Sequence, residues 1–123
     1  MTRKAPLAMT PGEFRDAGHK LVDRLADLLA SVPDRPVASG EGPAAIREAL
    51  GLGGPLPEDG ADATSLLLTM ADRLFEHSCF NAHPRFFGYI TASPAPVGVL
   101  GDLLASAANP NIGLFHLAPA APR

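Results

Sequence analysis

Apolar residues recur at intervals of three and four from Phe14 through Ala17, Leu21, Leu25, Leu28, Leu29 and Val32, while Arg15, Asp16, Lys20, Asp23, Arg24 and Asp27 take the positions between. That spacing gathers the apolar side chains into one stripe on a helix and leaves charge on the other face. Thr10-Pro11-Gly12-Glu13 marks where the helix begins. The Thr hydroxyl can accept from the Glu13 amide, and Pro11 falls at the first helical position, where its missing donor does no harm. Pro33 and Pro36 stop it, because each lacks an amide donor and pushes its preceding residue out of the helical region.

Gly42 and Pro43 open a shorter helix through Leu50, with Ala45, Ile46, Ala49 and Leu50 on one side. The breaker run GLGGPLPEDG after it reads as a linker. Asp62 or Thr64 caps a third helix whose stripe is Leu67, Met70, Ala71, Leu74 and Phe75, ending near His77. Ser78 to Ser93 is irregular and aromatic, and Phe86 to Ile90 is the stretch best able to run extended. A fourth helix runs from Pro96 to Asn109-Pro110, with Val97, Leu100, Leu103, Leu104 and Ala107 on one side and the small Gly98, Gly101 and Ala105 on another. With no longer alternating pattern, the expected fold class is all-α: about four helices and an irregular aromatic loop.

Length and charge narrow the partners. At 123 residues the chain is one small domain at most, and such a domain buries only about two thirds of the surface its unfolded chain exposes. Lys and Arg are scattered and the net charge is -3, so neither nucleic acid nor an anionic membrane surface has a basic stripe to hold it. Ser93 to Ala108 is interrupted by Asp102 and Ser106 and is shorter than the roughly 20 apolar residues of a membrane span. No membrane partner is expected. Cys79 is the only cysteine, which rules out a disulfide framework, and the opening MTRKAPLAMTPGEF has no apolar run of signal-peptide length, so the expected location is cytoplasmic.

His77, Cys79 and His83 are suitable ligand types for zinc or copper, but the paired spacing of a structural site is missing and the fourth ligand would have to be the distant His116. No metal site is expected, and Cys79 reads as a small core residue. The glycines of Gly51 to Pro55 have no preceding strand or following GK[ST] and belong to the linker rather than to a phosphate loop. No serine sits in a GxSxG elbow, and Asp16 and Asp23 are solvated charges of the first helix. The segment HPRFFGYITASPAPVG, His83 to Gly98, is different in kind: Phe86, Phe87 and Tyr89 crowd around Gly88, with Pro84, Pro94 and Pro96 stiffening the flanks. On physics alone it is either an apolar anchor stapling the third helix to the fourth or a loop that lines a ligand.

Continued through GVLGDLLASAANPNIGLFHLAPA, that segment resembles the amino-terminal part of the group II pyridoxal-phosphate decarboxylases, which include the glutamate and aromatic-amino-acid decarboxylases. The resemblance rests on an ordered series: HPRFF, the helix carrying GDLLAS, AANPN and finally APA. Upstream, the helix from Phe14, RPV at Arg35 to Val37, PAAIREAL and GGPLPEDG also fit. It covers nearly the whole chain, weakly before residue 65 and strongly from His83 to Ala120.

The resemblance implies the helical amino-terminal extension of a fold-type I enzyme, wrapped around the partner subunit of a homodimer and contributing to the substrate side of the active site. It places substrate-lining roles on Tyr89, Ile90 and Thr91, with Phe86 and Phe87 as packing support and Asn109 and Asn111 reaching toward the neighbouring active site. Tyr89 resembles the aromatic-substrate branch and AANPN the glutamate-type branch, so the substrate amino acid stays open. In the family a Thr-Glu step into the cofactor domain follows APA, where this chain reads Ala121-Pro122-Arg123. The expected organisation is a mobile amino terminus over 1–10 and a helical segment over 11–123, truncated before the cofactor domain.

Pyridoxal 5'-phosphate is the cofactor the resemblance implies for the full-length enzyme. Its ring spreads the charge left by decarboxylation, and a lysine must hold it. Lys4 and Lys20 are the only lysines, and neither falls in an apolar setting of the kind that lowers a lysine pKa, so this chain alone is expected to bind no cofactor and to have no catalytic residue of its own. Its expected partners are a second copy or the cofactor domain of the same enzyme, with the amino-acid substrate bound only in the complete enzyme. The leucine stripes cannot all be covered within one copy, so the chain is expected to self-associate. The alternative function is a free-standing helical interaction module without catalytic activity.

Overall fold

In the computed structural model, which describes residues 8–55, 58–113 and 115–120, the described residues form four α-helices and no strand. The helices are α1 (Pro11–Ser31), α2 (Pro43–Ala49), α3 (Ala63–His77) and α4 (Pro96–Ala108), with single 3-10 turns at Val32–Asp34 and Phe115–Leu117. The all-α expectation therefore holds for these residues. The chain divides into two compact units, one through Tyr89 and one from Ile90 onward. The expected mobile stretch over 1–10, Lys4, the Leu56-Pro57 step of the linker and Ala121-Pro122-Arg123 fall wholly or partly outside the described residues.

In the first unit, local chemistry sets both ends of α1 and the start of α3. The Thr10 amide donates to Glu13 Oε2 at 2.7 Å and the Glu13 amide donates to Thr10 Oγ1 at 3.2 Å, which is the reciprocal capping box expected from the sequence. Pro33 ends α1 by converting its last residues into the Val32–Asp34 turn. Asp62 is the cap of α3, its Oδ1 accepting the Ser65 amide at 2.8 Å. Gly51 and Gly53 adopt positive φ of 65° and 115° in the turn after α2, a backbone region open to glycine at no steric cost.

α1 packs on α3. Ala17, Leu28 and Val32 are buried on one side and Ala71 on the other, with Leu21, Leu25, Leu29, Leu68 and Phe75 half-buried around them. Phe14, which begins the stripe, is exposed. At the edge of the pair Arg24 grips Asp72 with two hydrogen bonds, Nε to Oδ1 at 2.7 Å and Nη2 to Oδ2 at 3.1 Å. α2 has no side-chain cap; Arg73 of α3 donates to the Ala49 carbonyl at its carboxyl end, where a cation meets the negative pole of the helix.

The stripe expected on α3 needs correction. Ala71 and Phe75 face inward, but Leu67, Met70 and Leu74 are exposed, as is Leu66. α3 carries two apolar stripes, and helical periodicity alone does not say which of them meets α1. The inward one is the stripe that also carries Asp72 to Arg24.

The second unit is built around α4, which begins at Pro96 and ends where Asn109 turns left-handed at φ 38°. Its 13 residues include one charge, Asp102, and none of them is buried. Val97, Leu100, Leu103 and Leu104 are all more than half exposed. Among the described residues no helix is long and apolar enough to cross a membrane.

Candidate functional site

The aromatic segment between α3 and α4 starts from a firmly held base. Arg35, just past the Val32–Asp34 turn, donates from Nε to Ser31 Oγ at 2.9 Å and from Nη1 to the Phe75 carbonyl at 3.1 Å. Its guanidinium also lies over the Phe80 ring, 5.9 Å from the centroid, within the range of a cation–π contact. The Phe80 amide donates to the Val37 carbonyl at 3.3 Å. Residues 35–37 thus receive the chain as it leaves α3.

His83 completes the base. It is only 3% exposed, its Nδ1 accepts the Arg85 amide at 3.0 Å, and its Nε2 lies 2.9 Å from the Arg35 carbonyl. A nitrogen that accepts cannot also carry the proton, so Nε2 is the donor and the ring is the neutral tautomer. Both nitrogens are engaged with backbone.

His77 is engaged elsewhere, with Nδ1 2.6 Å from Glu41 Oε2. This hydrogen bond is the main reason the Glu41 carboxyl is held below its usual value, with Ser39 contributing less. His77, Cys79 and His83 therefore do not converge, and no group of three or more metal-ligating side chains exists among the described residues. Cys79 is exposed, which corrects its assignment to the core: the chain leaves α3 at Ser78 in extended conformation, and Phe80 instead turns toward Arg35.

Beyond this base the segment opens to solvent. Phe86 is half-buried and its ring stacks with Tyr89, centroids 6.5 Å apart and planes 28° apart. Gly88 lies against the Phe86 ring, whose nearest atom would be 3.4 Å from an added Cβ. Tyr89 takes a positive φ of 58°, a region disfavoured for a bulky L-residue. The stretch Phe86 to Ile90 is accordingly not an extended strand, since the chain bends at Tyr89 and Ile90.

Tyr89 and Phe87 are 93% and 92% exposed, and Ile90, where the second unit starts, is fully exposed. Thr91 is exposed as well. Phe86 is thus the ring that supports Tyr89, whereas Phe87 covers nothing within the described residues. Asn109 and Asn111 have local roles in this structure. The Asn109 amide donates to the Ala105 carbonyl at 2.8 Å as it closes α4, and Asn111 Oδ1 accepts the Gly113 amide at 3.0 Å. The Asn109 side chain and the Asn111 amide group face solvent. Arg35 is the residue that periodicity and spacing do not single out, since it enters the sequence pattern only within the RPV of the resemblance.

An exposed Tyr-Ile-Thr tripeptide leaving a firmly held base can present an aromatic wall to a ligand. Lys20, the one lysine among the described residues, is exposed on the polar face of α1 and does not occupy the desolvated pocket in which a Schiff-base lysine works.

No family model matches the chain. Among curated proteins it is similar to decarboxylases of aromatic amino acids. Tyrosine decarboxylase 4 of Petroselinum crispum is 29% identical over 110 residues, 89% of this chain and 21% of that protein. The tyrosine decarboxylase of Oryza sativa subsp. japonica is 31% identical over 103 residues, 84% of this chain and 19% of the relative. The aromatic-L-amino-acid decarboxylase of Bacillus atrophaeus is 28% identical over 103 residues, again 84% of this chain and 21% of the relative. The chain spans about a fifth of the length of the curated relatives it matches.

Proposed function

We propose that this chain is the substrate-lining and dimerisation segment of a pyridoxal-phosphate-dependent decarboxylase of aromatic amino acids, inactive by itself. The observation that carries this reading is the complete exposure of Tyr89 and Ile90 on a segment whose base is tied down by Arg35 and His83. Solvent-facing aromatics on a rigid support are surfaces made to meet something. The similarity to tyrosine and aromatic-L-amino-acid decarboxylases over more than four fifths of the chain supports the chemical class of what they meet.

In this reading Tyr89, Ile90 and Thr91 line the side-chain end of the bound amino acid, Phe86 holds Tyr89 from behind, and Phe87, Asn109 and Asn111 meet the neighbouring subunit. The cofactor and its lysine come from a domain other than this helical segment. The homodimer supplies the cover for α4, whose apolar side chains are exposed.

The test is made in the complete enzyme. Tyr89→Gln is expected to lower kcat/KM for tyrosine relative to a small aliphatic amino acid by about 10- to 100-fold, the range for losing one apolar wall of a pocket. An unchanged ratio would remove Tyr89 from the substrate site. The exposed apolar surface of α4 also suits a free-standing interaction module; for that function the isolated chain would bind a partner tightly while Tyr89→Gln left any associated decarboxylase indifferent.

A further inference from the structure

We propose that Arg35 and His83 act together as a positioning clamp that fixes how Tyr89 is presented, a role that rests on the substrate-lining reading above. Arg35 joins three parts of the first unit: Ser31 at the end of α1, the Phe75 carbonyl in the last turn of α3, and the Phe80 ring at the start of the aromatic segment. The Phe75 carbonyl is among those that a helix leaves without an internal partner. A planar guanidinium holds its N–H donors in a rigid fork and lays its face on a ring, a fixed geometry that the compact lysine ammonium on its flexible stem does not reproduce.

His83 carries the hold forward. Between Phe80 and Phe86 the chain makes two successive turns, the His83 amide donating to the Phe80 carbonyl at 3.0 Å and the Phe86 amide to the His83 carbonyl at 2.9 Å. The buried imidazole pins these turns from inside, taking the Arg85 amide on Nδ1 and giving Nε2–H to the Arg35 carbonyl. The last group held is the Phe86 amide, and Tyr89 stacks on the ring of that residue.

A left-handed tyrosine with almost no burial has little of its own to keep it there. Such a conformation persists when its surroundings over-determine it. The clamp supplies that determination, and neither residue touches the ligand in this scheme.

The chain contains one tyrosine and no tryptophan, so its tyrosine emission reports on Tyr89 alone. The experiment is the fluorescence anisotropy decay of the full chain, with far-ultraviolet circular dichroism on the same samples, for the wild type, Arg35→Lys, His83→Asn and the exposed control Arg15→Lys. The wild type and Arg15→Lys are expected to keep a slowly decaying fraction that follows overall tumbling. Arg35→Lys and His83→Asn are expected to keep their helix signal while that fraction falls at least about twofold, as local nanosecond motion sets in.

Unchanged anisotropy in both variants overturns the clamp. So does a loss of helix signal in step with the anisotropy, which would make the pair a support of the helices rather than of the turn, and so does a wild-type Tyr89 already as mobile as in urea. Neither cofactor nor amino acid is present in this measurement. It can therefore fail while Tyr89→Gln still alters substrate preference, or succeed while that kinetic test fails.

Discussion

The α1–α3 pair and α4 illustrate two ways a helix can be apolar. α1 alternates charge with leucine, and its stripe is matched by Ala71, Leu68 and Phe75 of α3, with Arg24 and Asp72 closing the edge. α4 has far less charge and higher apolar content, yet none of its residues is buried. A helix that is apolar nearly all round is a helix that belongs inside something. Hydropathy thus states the demand for a partner, and only complementary shape within reach states whether that demand is met in the same chain.

The sharpest way to break this contrast is to make α4 polar. Leu100→Asp together with Leu104→Asp is expected to convert a self-associating chain into a monomer, read as a sedimentation coefficient that no longer rises with concentration. If the wild-type chain already sediments as a stable monomer, the exposed face has no self-complementary role.

The next effect is on stability. Leu28→Ala removes a buried side chain from the α1–α3 seam and is expected to lower the unfolding free energy by about 2–3 kcal/mol, at the lower end for such truncations because the core is thin. Leu104→Ala, at 70% exposure, is expected to change the dilute monomer by about 0.5 kcal/mol or less. Urea titrations of the two variants measure the difference directly. Equal losses would mean that α4 is covered in solution.

Thr10→Ala deletes the hydroxyl half of the capping box and is expected to cost about 1 kcal/mol. Smaller still is the response to acid. The Glu41 carboxyl is lowered chiefly by its hydrogen bond from His77, and Asp62 by the Ser65 amide. Both carboxyls therefore bind fewer protons in the folded chain than in the unfolded one. Their contribution is complete above the ordinary values of 4.5 and 3.8 and fades as pH falls through the lowered folded values. The urea midpoint should decline over that acid window, and more shallowly in a Glu41→Gln, Asp62→Asn double variant. A curve identical to the wild type would show that neither bond survives in solution.

The helices were legible because their signals are local. Thr10 with Glu13, Asp62 with Ser65, and Pro96 at the start of α4 act within four residues. The inward side of α3 was not legible, because Leu66, Leu67, Met70 and Leu74 form an apolar stripe as convincing as the one that is used. Nor was the base of the aromatic segment, whose bonds join residues 40 and 48 positions apart, Arg35 to Phe75 and His83 to Arg35. Polar contacts at that range leave no periodicity to read. Cys79 was misplaced for the same reason: its neighbours' hydropathy does not reveal that Phe80 turns inward toward Arg35. The order HPRFF to AANPN did point to the right class of relatives, while its mixture of branch features is set beside three relatives all named for tyrosine or aromatic amino acids.

The most direct trial of the substrate-lining role is a crystal structure of the complete decarboxylase with an unreactive aromatic amino-acid analogue bound. The Tyr89 ring is expected within about 4 Å of the analogue's side chain, the separation of apolar groups in contact, still stacked on Phe86. A Tyr89 ring left in bulk solvent, with the analogue held wholly by other segments, would contradict it.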